Sequence, residues 1–355
     1  MRLLPSLPGR ALVVALGLAL LAWPACGAGQ TSGAAGSSDG DGGPADRASA
    51  RATFALGYHG QVVPWRRFLL RALPGEEVAL EVRRPSEAVG APPAAPRRIP
   101  EGRYSVRVRA GGIERTGPRS WIWTAPDAAA LHRLVVVRES VGEPAGRDSI
   151  LLSAAVLVPM SEVRNGRVRS FRVGAHPEEV YRGLPRYRRP RGFVRVTREN
   201  AATRVSPRFR LGQFSVKRPA TWPKYTVLHE RLLLKLELLV ERARRRGVPP
   251  EGWRVLSGYR SPWYNRDIGR PRFSRHIFGD AADVYVDRDG NGAMDDLNSD
   301  GRVDVLDADV LYDIVDRMDA DPGLRHLLGG LGKYRTTPSH GPFIHLDTRG
   351  YRARW

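Results

Sequence analysis

The chain has 355 residues, enough for two ordinary domains and a sizeable core. Its formal net charge is +20, yet arginine outnumbers lysine 53 to 4. That is the bias of a GC-rich coding sequence more than of phosphate binding, so nucleic acid is not an expected partner. Cys26 is the only cysteine, which excludes an internal disulfide framework.

Residues 1–28 read as a secretory signal. Arg2 and Arg10 flank an apolar run from Ala11 to Trp23 that is too short for a spanning helix, and small residues follow. Cys26 either leaves with the signal, by cleavage after Ala28, or stays as a lipid-attachment cysteine. The Gly/Ser/Ala/Asp-rich tract over 29–50 is a flexible linker that would suit a membrane tether. The expected location is the periplasm or cell envelope, with the lipoprotein form anchored through Cys26. Arginine runs such as "RGLPRYRRPRG" are expected to be solvated faces, or to meet anionic wall and lipid surfaces.

From 51 to 160 short strands alternate with Pro/Gly/Asp turns: "EEVALEV", "GRYSVRV", "RSWIWTAPD", "HRLVVVRE" and "DSILLSAAVLVP". Period-two alternation without a long helix predicts a small all-β domain, an immunoglobulin-like sandwich. Trp121 and Trp123 are expected in its core and rim. Connecting hairpins fill 161–204.

The segment from 205 to 355 reads as an α+β domain. "LHERLLLKLELLVERARRRG" predicts a helix whose apolar stripe is Leu228, Leu232, Leu236, Leu239 and Val240, closed by Gly247 and Pro249. A strand follows in "WRVLSGYRS". "SRHIFGDAADV" then sets His276 and Asp283 in a stretch of small and apolar residues, and the last strand, "FIHLDT", supplies His345. Two histidines and an aspartate with a fourth position open to water suit a catalytic rather than a structural zinc. Asp347 shares a strand face with His345 and is placed to orient an imidazole.

Four pieces in this order, "VSPRFRLGQF", "LSGYRSPWYN", "SRHIFGDAADV" and "FIHLDT", resemble the zinc D-Ala-D-Ala carboxypeptidase and hedgehog-type metallopeptidases, which include peptidoglycan peptidases. The resemblance covers roughly 205–355. It implies His276, Asp283 and His345 as zinc ligands, and Arg260 as the residue that holds a substrate carboxylate or carbonyl oxygen. Many members carry an acidic base three residues before the last ligand, where this chain has Pro342. Others use a histidine five residues before it, which here is His340. The resemblance therefore implies peptidoglycan peptides as substrate and His340 as the catalytic proton carrier. The alternative is a catalytically inactive, calcium-stabilised module of the same fold that binds or structures the cell wall.

From Asp283 to Asp321, both included, stand thirteen acidic and three basic residues. Asp296, Asn298, Asp300, Asp304 and Asp307 fall at positions 1, 3, 5, 9 and 12 of a calcium loop, with the Arg302 carbonyl at 7. An earlier, less complete loop uses Asp287, Asp289, Asn291 and Asp295. The expectation is a dockerin-like insertion at 287–321 holding structural calcium, with a helix "DADVLYDIVDRM" after it.

Overall fold

The computed structural model describes residues 50–140 and 146–355; the expected signal, Cys26 and nearly all of the 29–50 linker lie outside the described residues. Nine strands form the first part: β1 (Arg51–Tyr58), β2 (Gln61–Trp65), β3 (Arg67–Ala72), β4 (Glu77–Arg83), β5 (Arg103–Val108), β6 (Gly112–Gly117), β7 (Ser120–Thr124), β8 (Leu131–Glu139) and β9 (Arg147–Val156). They build two sheets, in the orders β2-β1-β4-β7-β6 and β3-β9-β8-β5. All pairings are antiparallel except β3 with β9. The alternation in β4 is complete: Val78, Leu80 and Val82 are buried and the residues between them exposed or half-buried. Each such side chain removed from water contributes about 1.5–3 kcal/mol. Trp121 and Trp123 both lie in the core, on one face of β7.

The connection from 161 to 204 carries little regular structure. A single tight hairpin, β11 (Arg167–Val168) with β12 (Phe171–Arg172), follows β10 (Val158–Pro159). β13 (Gly192–Val196) then pairs with β10 and with β14 (Lys224–Thr226).

The remainder is mixed. After α1 (Glu230–Arg244) come β15 (Trp253–Ser257), α2 (Pro262–Asp267), β16 (Ala281–Val286), α3 (Val305–Ala320), β17 (Gly330–Tyr334), β18 (Phe343–Asp347) and β19 (Ala353–Arg354). The strands form one sheet in the order β15-β16-β18-β17-β19. This sheet puts β16 and β18 side by side at its centre, which decides where the site forms.

α1 differs from the expected one-sided helix. Leu233, Leu234 and Leu238 are buried together with the predicted stripe. Glu230, Lys235 and Glu237 are buried with them, so the helix is enclosed on nearly all sides and its buried charges need partners. On one side Arg71 of β3 pairs with Glu230 at 2.7 Å and Arg51 of β1 with Glu241 at 2.6 Å. On the other, Lys235, itself fully buried, reaches Asp319 of α3 at 2.7 Å. The β-rich part and the mixed part thus share one buried apolar cluster around α1. Among the described residues no helix is long and apolar enough to cross a membrane.

α3 begins at Val305, two residues before the predicted start. Asp304 caps it by accepting from the Leu306 amide at 2.7 Å, while Asp307 reaches back to the Asp304 amide at 2.8 Å.

Candidate metal centre

His276 sits on a single 3-10 turn, Arg275–Phe278, that ends at Gly279. Gly279 has φ +73°, and a Cβ there would lie 2.5 Å from the Val227 carbonyl oxygen, so the turn needs glycine twice over. The turn is braced by Arg275, whose Nε donates to Asp280 at 3.0 Å and whose guanidinium stacks over Tyr187 and Phe278. His176, from the connecting segment, bonds the Ile277 carbonyl oxygen at 3.0 Å; burial lowers its pKa to about 4, so it stays neutral there.

Asp283 of β16 and His345 of β18 are direct partners across the antiparallel ladder. Strand register alone therefore brings them together, and the braced turn lowers His276 onto the pair. His345 Nδ1 lies 2.8 Å from Asp283 Oδ1; His276 Nε2 lies 3.2 Å from His345 Nδ1 and 3.3 Å from Asp283 Oδ1. All three side chains are buried.

The outer atoms of the three residues are fixed as well. His276 Nδ1 faces the Gly258 carbonyl oxygen at 2.7 Å, and that oxygen can only accept. His276 therefore carries its proton on Nδ1 and turns a lone pair inward from Nε2. His345 Nε2 meets Asp347 Oδ2 at 3.2 Å, which turns Nδ1 inward. Asp283 Oδ2 accepts from the Arg260 guanidinium at 2.6 Å, leaving Oδ1 to the centre.

With these tautomers three electron-rich atoms converge with no hydrogen between them. Such an arrangement requires a cation or an added proton. Without a cation the proton falls on His345: burial opposes its charging, but hydrogen bonds to Asp283 and Asp347 outweigh burial and raise its pKa. His276 moves the other way, lowered chiefly by burial. Asp283 is held well below the usual carboxylate range: burial opposes this, and the two imidazoles overcome it. Two imidazole nitrogens and one carboxylate oxygen, each oriented by an outer partner, fit zinc.

Residues 252–299 match the Peptidase M15 family. The matched segment holds Arg260, His276 and Asp283, and it ends before His345, which the sheet supplies. No curated protein and no solved structure matches the chain. The family match and the buried cluster together point to a metallopeptidase.

Of the other expected residues, Arg260 lies beside this centre. Arg260 holds Asp283 and Ser257 Oγ through NH2 and Nε, and its NH1 has no partner among the described residues. His340 stands outside the cluster. Its Nδ1 faces the Gly341 carbonyl oxygen at 2.9 Å, and its ring packs edge-on against Phe343, which shares a face of β18 with His345. Sequence reasoning missed an aromatic border: the Trp355 ring lies 5.2 Å from the His345 ring, and its indole donates to the Tyr334 hydroxyl at 2.7 Å. It also missed Arg275, Asp280 and the Gly258 carbonyl. The spacing of Arg275 and Asp280 around the glycine is a signal that was there to find.

In the acidic segment, oxygens of Asp287, Asp289 and Asp295 gather within 4.8 Å of one another, and Asp287 is buried. Asn291 joins them through its side-chain amide, 2.9 Å from Asp289. The second loop is ordered by its own backbone. Asp296 accepts from the Gly301 amide, Asp300 from the Arg302 amide, and Asp307 from the Leu297 and Asn298 amides. Among the described residues it gathers no comparable group of three carboxylates. The loop that looked less complete in sequence is the one whose acids converge.

Proposed function

We propose that the protein is a zinc-dependent peptidase of the bacterial cell envelope that hydrolyses peptide bonds of peptidoglycan, as a D,D- or L,D-carboxypeptidase or endopeptidase. The observation that carries this reading is the buried convergence of His276, Asp283 and His345 beside Arg260. His276, Asp283 and His345 would hold the zinc, which would lower the pKa of a bound water towards neutrality and polarise the scissile carbonyl. Asp347 keeps His345 in the ligating tautomer. Arg260 does two jobs: NH2 orients Asp283, and NH1 donates to a substrate carboxylate or carbonyl oxygen. His340 takes and returns the proton. Its Nδ1–H is held by Gly341, which leaves the Nε2 lone pair as the base.

Calcium in the acidic segment is part of the proposal, supported by the gathered acids of the first loop and by the oxygen-rich spacing of both. An immunoglobulin-like identity for the two β-sheets, export, and a lipid anchor through Cys26 complete it. A second reading, a non-hydrolysing wall-binding or structural module, draws on the absence of an acidic base at Pro342 and on a fold that hosts more than one function. Digestion of purified peptidoglycan by the zinc-loaded protein, with products identified by mass, separates the two. Released muropeptide fragments or D-alanine support the peptidase; an unaltered polymer supports the module.

A further inference from the structure

The sheet β3-β9-β8-β5 has an outer face that the metal centre does not use. There Arg107 of β5 lies opposite Val135 of β8, and Ser149 of β9 lies opposite Val137 of β8. Just past the end of β5, Arg109 donates its amide to the Arg133 carbonyl. These residues, with Arg66 and Arg147, line a cavity of about 460 Å³, within the size range of small-ligand sites.

Five guanidinium groups therefore face one concavity whose only acid among the described residues is Asp148. That carboxylate is already committed: it accepts from the Thr53 amide at 2.6 Å, from the Thr53 hydroxyl at 2.7 Å, from the Ser149 amide at 2.8 Å and from Arg66. Arg133 is also engaged. Arg107, Arg109 and Arg147 have no partner among the described residues. Glu139, opposite Arg147 in register, forms no ion pair with it. Three unneutralised guanidinium groups in one hollow repel each other, and an anion relieves that repulsion.

We infer that this cavity is a binding site for a phosphate group carried by a compact ligand. A carboxylate has two coplanar oxygens, which one guanidinium fork satisfies. A phosphate offers three or more oxygens in a tetrahedral array, which suits guanidinium groups arriving from different strands. Val135 and Val137 give the floor an apolar strip for the part of the ligand next to the phosphate. The hollow shape favours a compact molecule over a flat bilayer.

The test uses the full-length protein at fixed ionic strength, titrated with inorganic phosphate, glycerol 3-phosphate and acetate, and mixed separately with phosphatidylglycerol vesicles. The double variant Arg107→Gln, Arg147→Gln changes exposed side chains on a sheet face. Arg188→Gln, Arg246→Gln is the charge-matched control, with both sites exposed and outside the cavity. The expected result is saturable glycerol 3-phosphate binding, tighter than acetate, weakened roughly tenfold or more in the first variant and unchanged in the control. Vesicle binding lost in the first variant alone would make the phosphate source a lipid headgroup. Equal weakening in both variants, acetate binding as tight as phosphate, or no saturable binding overturns the inference.

Discussion

At the scale of single residues, the site depends on which atom of each side chain is turned inward. Asp347 receives His345 Nε2 on one side and is held on the other by Arg349 and the Gly330 amide. Removing its charge frees the His345 ring to turn. Asp347→Asn should therefore weaken zinc binding by about 10–100-fold, read by competition with a chromogenic chelator. His340 makes no contact with the three ligands, so its removal should spare the metal. His340→Ala is expected to retain stoichiometric zinc while kcat falls by roughly 10²–10⁴-fold, as for a lost general acid-base. A wild-type rate in that variant would move the proton-handling role to another group.

Among the elements, α1 carries the join between the β-rich and mixed parts through part-buried ion pairs. The Glu230 pKa is depressed: burial opposes this, but Arg71 and His59 overcome it. A carboxylate depressed on folding contributes stability that is complete above its unfolded value. That contribution is lost as pH falls below the ordinary 4.5 towards the folded value. Acid titration of Tm should thus show a steep limb below about pH 4.5, and Glu230→Gln should be less stable at neutral pH with a shallower limb. The acidic segment before α3 is expected to respond to calcium instead. α3 is capped by its own Asp304 and Asp307 side chains, so removing calcium should loosen the loops and leave the helix in place. At a hundredfold excess over Kd, calcium should add about 2.7 kcal/mol of stability. Thermal melts at fixed zinc, with calcium or a calcium-selective chelator, check this; coincident melts would mean that the acids are only solvated.

For the molecule as a whole, the chemistry was more legible in the sequence than the packing. His276, Asp283 and His345 stood out because a ligand set needs particular residue types at particular spacings, and the β16–β18 register then makes Asp283 and His345 face each other. The Gly258 carbonyl that sets the His276 tautomer leaves no residue-type signal, since every residue has a carbonyl. The burial of α1 on nearly all sides was hidden for a related reason. Its enclosure comes from Arg71 and Asp319, each far from it in sequence, and periodicity reports one face at a time. Asp296 to Asp307 read as the better calcium loop by position. In the fold its Asp307 carboxylate is taken by backbone amides, which sequence spacing does not register. The proposed mechanism requires that His276, Asp283 and His345 hold a single zinc. Metal analysis of the purified chain and of the His276→Ala, His345→Ala double variant tests it most directly. One zinc per chain in the wild type and none in the double variant is the predicted result; stoichiometric zinc retained in the double variant would contradict it.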